Sequence, residues 1–159
     1  MEAKIGQMLM VGFRGLEAGD DHPIARDIRD RHLGGVVLFD YDVPTQTPVR
    51  NIESPAQVKA LVASLQAFSS TPLLVAIDQE GGKVSRLKED VGFPPTVSAQ
   101  YLGTMNDLAL SHEHAAAMAE TMAQLGINLN LGRWSISTPI PTTRSSAGSN
   151  AASRPIPTS

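Results

Sequence analysis

The chain has 159 residues, of which 42% are hydrophobic and 18% charged, a composition typical of one soluble globular domain. Its net charge of −3, with no cluster of Lys or Arg, gives no electrostatic reason to expect nucleic acid or an anionic membrane as a partner. There is no cysteine, which excludes disulfides and thiolate metal sites, and residues 1–13 are a poor signal peptide. We therefore expect a cytoplasmic protein with a small or neutral partner.

Short apolar segments with the length of β-strands lie at residues 34–39, 72–77 and 126–131, and residues 7–13 are a candidate for another strand. The first two are continuously apolar, as expected for strands covered on both faces in a parallel sheet. A helix is predicted between them, because Ser54 suits the N-cap and Pro55 the first helical position. Its predicted apolar face consists of Val58, Leu61, Val62, Leu65 and Phe68.

A second helix is predicted between the strands at 72–77 and 126–131. Gly126 stands where a left-handed C-cap belongs. The side chains predicted to share its apolar side are Leu108, Ala115, Met118, Met122 and Leu125. The alternation of strand and helix predicts an α/β fold with a parallel sheet.

The composition changes abruptly after Leu131. Residues 132–159 contain 7 Ser, 4 Thr, 4 Pro and three Arg but no acid, whereas residues 1–131 carry 10 Lys and Arg against 16 Asp and Glu. A disordered, Ser/Thr/Pro-rich tail is one interpretation. The change comes directly at the end of a predicted strand, however, and a domain does not normally stop within its own sheet.

The stretch "DQEGGKVSR" at residues 78–86 directly follows a predicted buried strand. Ligands of α/β folds bind at the carboxyl ends of strands, which is the position of Asp78. Gly81 and Gly82 allow a sharp turn that brings Arg86 back toward Asp78. A carboxylate and a guanidinium together suit sugar hydroxyls, which both donate and accept hydrogen bonds. A plain surface ion pair beside a tight turn explains the same spacing.

Six segments, in this order and at these spacings, resemble the N-terminal part of glycoside hydrolase family 3, specifically its single-domain bacterial β-N-acetylhexosaminidases. They are "KIGQMLMVGF", "GGVVLF", "NIESPAQVKALVASLQ", "PLLVAIDQEGGKVSRL", "FPPTVSAQYLG" and "LGINLNL". The resemblance covers about residues 4–131. It implies a (β/α)8 TIM barrel, of which this chain holds an incomplete N-terminal portion. Lys83 departs from the Arg more usual in the family at that position.

The resemblance also implies a function. It indicates hydrolysis of O-glycosyl bonds, with release of terminal β-linked N-acetylglucosamine and retention of configuration, in peptidoglycan recycling. It implies no metal and no cofactor, and it assigns contacts with the sugar to Asp78 and Arg86. A phosphate-binding barrel enzyme is a weaker alternative, because it would need a glycine-rich loop at a helix N-terminus late in the chain, and the sequence contains none.

Retaining hydrolysis needs a nucleophile and an acid/base. In the family these are a downstream Asp and a His within a Lys-His-Phe-Pro-Gly-His pattern, and neither is found in these 159 residues. We therefore expect no catalytic residue in this chain and no turnover by it. The alternative to an enzyme is a non-catalytic sugar-binding or structural remnant of a barrel.

The tail gives a reason for the missing groups. When one base is restored within the codon of Gly132 and synonymous codons are chosen, residues 132–159 become APVVDLNTNPNNPLIGRLERSFSADPDV, which resembles the family's own continuation. We therefore expect residues 1–131 to be the N-terminal part of the barrel and residues 132–159 to be a frameshifted, disordered tail. A barrel of this type takes about 250 residues to close. An open sheet would expose an edge and apolar side chains, so self-association through that edge is also expected.

Overall fold

A computed structural model of the protein describes residues 2–132. The predicted frameshifted tail, apart from Gly132, lies outside the described residues, and its predicted disorder stays a prediction.

Four parallel strands form one sheet in the order in which they occur along the chain: β1 (Met10–Gly12), β2 (Gly35–Leu38), β3 (Leu74–Ile77) and β4 (Leu129–Asn130). The pairing between β2 and β3 runs from Gly35 opposite Leu74 to Leu38 opposite Ile77. The predicted strands, including the candidate near the N-terminus, are therefore confirmed. Their carboxyl ends all lie at the same edge of the sheet.

One helix precedes β1, and the others occupy the connections between the strands. They are α1 (Glu2–Gly6), α2 (Pro23–Asp30), α3 (Pro55–Ala67), α4 (Ala99–Met105) and α5 (Leu108–Leu125), with a 3-10 turn at Glu89–Val91. Within residues 2–132, no helix combines the length and the apolar character needed to cross a bilayer.

The core lies between one face of the sheet and the helices. Val36 and Leu38 from β2 and Val75 and Ile77 from β3 are all fully buried in it. Because side chains alternate along a strand, the other face carries Met10, Gly35, Val37, Leu74, Ala76 and Leu129. Leu74 is 47% exposed there, in contrast to its buried neighbour Val75. Ala76 on the same face is nevertheless fully buried, so this face is only partly exposed.

Helix α3 forms as its sequence predicts. The Ser54 hydroxyl accepts a hydrogen bond from the Gln57 amide at 3.3 Å, and Pro55 opens the helix. The Gln57 side chain turns back to accept from the Glu53 amide at 3.0 Å, one residue before the cap. Its predicted apolar face is buried at Val58, Leu61, Val62 and Leu65, and Phe68 packs partly buried beside it.

Helix α5 is confirmed with one correction. Met118, Met122 and Leu125 are buried, and Gly126 caps the helix with a φ of 80°. Leu108, predicted on the same side, is 88% exposed. It is the first residue of the helix, directly after the N-cap Asp107. Helical periodicity places residues on a side of a helix, but it does not say how far along the helix the core reaches.

A buried carboxylate ties the loop after β2 to the end of β1. Asp42 pairs with Arg14 through two contacts, one of them from Arg14 Nη2 to Asp42 Oδ1 at 3.1 Å. The hydrogen bond from Arg14 holds the pKa of the Asp42 carboxyl below its ordinary value, and burial opposes this only in part. The same loop is closed by backbone hydrogen bonds between Asp42 and Thr47 at 3.0 and 3.3 Å.

Leu65 and Leu108 form a matched pair for testing the core, since both are helical leucines but only Leu65 is fully buried. Leu65→Ala should lower the free energy of unfolding by about 2–5 kcal/mol through the lost burial and the cavity left behind. Leu108→Ala should change it by less than about 0.5 kcal/mol. Urea unfolding followed by far-UV circular dichroism measures both, and equal losses would contradict the described position of α5.

The Asp42 pair predicts a dependence of stability on pH. Its pKa is lowered in the folded state, so the pair stabilises the fold above the unfolded-state pKa of about 4 and this contribution is lost as pH falls through the folded pKa. Wild type should therefore be more stable than Asp42→Asn at neutral pH, and the difference should shrink below about pH 4. Thermal melts of both proteins across that range make the comparison. A difference independent of pH would contradict a charged pair.

Candidate functional site

The candidate site lies at the carboxyl edge of the sheet, where β2 and β3 end side by side. Asp40 follows β2 by two residues, and Asp78 follows β3 directly. The structure brings Arg86 to the same place, so the two residues predicted from the sequence, Asp78 and Arg86, do lie together. This edge is where ligands of parallel α/β sheets bind.

The double glycine turns the chain back over the strand ends. Gly81 and Gly82 have φ values of 80° and 62°, in the left-handed region that favours glycine. A Cβ on Gly81 would lie 2.1 Å from the carbonyl oxygen of Val97, so the loop also needs glycine for close approach. The amide of Glu80 donates to the carbonyl of Val84 at 2.9 Å and closes the turn. The predicted sharp turn is therefore confirmed.

The amide side chain of Gln79, only 1% exposed, holds the returning segment. Its Oε1 accepts hydrogen bonds from the backbone amides of Arg86 at 2.8 Å and Leu87 at 3.0 Å. Its Nε2 donates to the Ser85 hydroxyl at 2.9 Å. A buried amide with all these groups paired fixes the backbone of Arg86 relative to β3. Sequence analysis missed this role, because the bonds join residues six to eight positions apart in an irregular loop.

Strand β4 supports the same loop from its other side. The Asn130 side chain accepts from the Gln79 amide at 3.0 Å and donates to the Gln79 carbonyl at 2.8 Å. The Asn130 side chain thus hydrogen-bonds both the amide and the carbonyl of Gln79, as the backbone of a neighbouring strand would. Asn130 lies in the segment "GINLNL", whose apolar residues were the reason for predicting a strand there.

Arg86 contacts two carboxylates, and the two contacts differ. Its Nη1 donates to Asp40 Oδ1 at 3.1 Å, whereas its Nη2 lies 3.5 Å from Asp78 Oδ2, too long for a good hydrogen bond. Lys88 Nζ lies 2.7 Å from Asp40 Oδ2. The Asp40 side chain is 10% exposed and that of Asp78 is 32% exposed. Asp40 is therefore the more buried carboxylate and contacts both cations, and Asp78 is the one more open to solvent.

Sequence analysis did not select Asp40. The rule that selected Asp78, a polar residue where a buried strand ends, applies equally to Asp40 after "GGVVLF". The aromatic ring between Asp40 and β2 also belongs to the site, because the guanidinium of Arg86 lies 6.0 Å from the centre of the Phe39 ring and that of Arg50 lies 4.8 Å from it.

The site offers charged hydrogen-bond acceptors and charged donors. Two carboxylates, Asp40 and Asp78, lie against two cations, Arg86 and Lys88, and the Arg50 guanidinium lies nearby over the Phe39 ring. In residues 2–132, no group of three His, Asp or Glu side chains is arranged to hold a metal ion. Open acceptor and donor atoms side by side match a neutral ligand with several hydroxyl groups.

Comparisons with known proteins show the family of this chain. The family model described as "Glycosyl hydrolase family 3 N terminal domain" matches residues 1–132. The chain is 36% identical over 104 residues to a beta-hexosaminidase of Nitrosomonas eutropha, covering 62% of this chain and 27% of that protein. It is 32% identical over 143 residues to a beta-hexosaminidase of Alkalilimnicola ehrlichii, covering 79% and 36%.

A solved structure, a glycoside hydrolase family 3 beta-N-acetylglucosaminidase from Paenibacillus sp. str. FPU-7, superposes with a TM-score of 0.71 at 38% identity. The superposition covers 82% of this chain and 23% of that one. The chain thus spans between 27% and 36% of the length of these two curated relatives. The parallel strands and the "DQEGG" turn all lie within the match, so this chain belongs to glycosyl hydrolase family 3 and contains part of the TIM-barrel-like fold of its N-terminal domain.

Proposed function

We propose that this chain is the sugar-binding N-terminal part of a β-N-acetylhexosaminidase, which hydrolyses O-glycosyl bonds and releases terminal β-linked N-acetylglucosamine with retention. The observation that carries the proposal is the pairing of an open carboxylate, Asp78, with an open guanidinium edge on Arg86 where two parallel strands end. The names of the relatives support this substrate class. Peptidoglycan recycling in the cytoplasm is the setting that we propose for the reaction.

Asp78 and Arg86 have complementary parts in binding. The Asp78 carboxylate accepts hydrogen bonds from ring hydroxyls, and Arg86 Nη2 donates to the oxygen of a neighbouring hydroxyl. The gap of 3.5 Å between the two groups supports these assignments, because neither group needs the other as its hydrogen-bond partner. As positive charge builds on the sugar, its hydroxyls become more acidic, so the contact with Asp78 strengthens toward the transition state.

The nucleophile and the acid/base of a retaining mechanism are proposed to lie outside residues 1–131. The 159-residue sequence has no Lys-His-Phe-Pro-Gly-His pattern to supply the acid/base. This absence favours a second candidate function for the 159-residue chain by itself, that of a non-catalytic sugar-binding module or structural remnant. Residues 132–159 are proposed to be an out-of-frame reading of barrel-coding DNA. The end of the family match at residue 132 and the composition of the tail support that proposal.

The frame proposal predicts a result in DNA and a result in activity. The DNA beyond the codon of Leu131 should contain an open frame, displaced by one base, that runs into Lys-His-Phe-Pro-Gly-His. The 159-residue chain should release no p-nitrophenol from p-nitrophenyl β-N-acetylglucosaminide above buffer, and the protein expressed with the frame restored should release it. A stop codon or unrelated sequence in the displaced frame would contradict the frame proposal. If the 159-residue chain does hydrolyse the substrate, and a substitution within the chain abolishes that activity, then the chain contains catalytic residues and the proposal of an inactive chain is wrong.

The binding roles predict the effects of two substitutions in the frame-restored protein. Asp78→Asn and Arg86→Ala should each lower kcat/KM. The loss of transition-state stabilisation should be about 2–4 kcal/mol, the cost of a lost charged hydrogen bond and of the partner left without one. Thermal stability should barely change. Asp90→Asn, an exposed carboxylate in the following 3-10 turn, is the control and should leave kcat/KM unchanged. A merely structural ion pair predicts the reverse, with normal kcat/KM and a stability loss of about 0–1 kcal/mol.

A further inference from the structure

Asp40 stands out as a buried carboxylate to which the proposed function assigns no part. It is 7% exposed and contacts both cations of the site, Arg86 Nη1 at 3.1 Å and Lys88 Nζ at 2.7 Å. Burying a carboxylate is costly unless it is paired and hydrogen-bonded, and both of its oxygens are engaged here. The arrangement therefore fixes Asp40 and the guanidinium edge that faces it.

The contact between Asp40 and Nη1 of Arg86 also determines where Nη2, the other terminal nitrogen of the guanidinium, points. The group is planar, so a hydrogen bond at Nη1 sets the direction of Nη2. With Nη1 on Asp40, Nη2 stops 3.5 Å from Asp78, beyond good hydrogen-bond distance. The buried Nε of Arg86 has no hydrogen-bond partner among the described residues, so it does not hold the group in this orientation. The Asp40 contact does so, with the backbone held by Gln79.

We infer that Asp40 is a positioning residue, which holds Arg86 back from Asp78 so that both groups stay open to a sugar. Without the Asp40 carboxylate, the nearest anion for Arg86 is Asp78, and the guanidinium turns to pair with it. Such a closed pair uses the acceptor and donor atoms that the sugar needs. This inference rests on the proposed function for its effect on sugar binding, but its effect on Arg86 itself is independent of that function.

The first test reads the Arg86 side chain in the 159-residue chain. The ¹⁵Nε–¹Hε NMR signal of Arg86, assigned by its loss in Arg86→Lys, reports the surroundings of the guanidinium. In wild type, Asp78→Asn should shift it little, since Arg86 is bonded to Asp40. In Asp40→Asn the signal should move, and adding Asp78→Asn should then move it strongly. Equal effects of Asp78→Asn in both backgrounds would overturn the inference.

The second test is the binding of N-acetylglucosamine, followed by saturation-transfer NMR on the same proteins. Asp40→Asn should weaken binding at least about tenfold, the scale of a lost charged hydrogen bond. The matched control is Asp42→Asn, which removes a buried carboxylate from the same loop but one that pairs with Arg14. It should leave both the Arg86 signal and the affinity unchanged. Equal losses in the two variants would mean that only loop stability matters and would overturn the positioning role.

The two tests separate failure of the inference from failure of the proposed function. If wild type binds no N-acetylglucosamine, the proposed sugar site fails in this chain, and the Arg86 signal still decides whether Asp40 positions Arg86. If Asp40→Asn does not fold, Asp40→Glu decides instead. The carboxylate is kept but lies one methylene farther out, so the Arg86 signal should still move and become sensitive to Asp78→Asn. An unmoved signal in Asp40→Glu would overturn the inference.

Discussion

The backbone pairing between β2 and β3 is the constraint on which the site depends. The parallel register from Gly35–Leu74 to Leu38–Ile77 brings the two strands to an end side by side. Asp40 and Asp78 are thereby placed on neighbouring chains at one edge, close enough for a single guanidinium to reach both. A slip of one residue would turn every side chain of a strand to the opposite face of the sheet, so the buried pattern of Val36, Leu38, Val75 and Ile77 protects the site as well as the core.

The strands and the longer helices could be predicted from the sequence because their signals are local. Continuous apolar runs, the Ser54–Pro55 start of α3 and Gly126 after α5 each express a preference of neighbouring residues. Helices α1, α2 and α4 were not predicted. Each is short, with five to eight residues, and α2 follows a His N-cap, which is not among the strongest start signals.

Only part of the site was predicted, and that part is again local in the sequence. Asp78, the double glycine and Arg86 lie within nine residues, so their proximity could be inferred from one turn. Asp40 is 46 positions from Arg86, and Asn130 is 51 positions from Gln79. Contacts between such distant residues are set by strand order and register, which the sequence pattern alone does not specify. The resemblance to a family implied roles for Asp78 and Arg86. It did not identify the residues near other strands that hold the site loop in place.

The hydrogen bonds between Asn130 and Gln79 have a consequence for local unfolding. Strand β4 is only two residues long and borders the sheet among the described residues, so its backbone pairing with β3 is limited. The site loop shares its anchor with this weakest strand. Opening of β4 therefore also releases the backbone of Gln79 and, through its side chain, that of Arg86. The order of the candidate site and the protection of the sheet border against hydrogen exchange should therefore vary together, as parts of one cooperative unit that depends on the stability of β4.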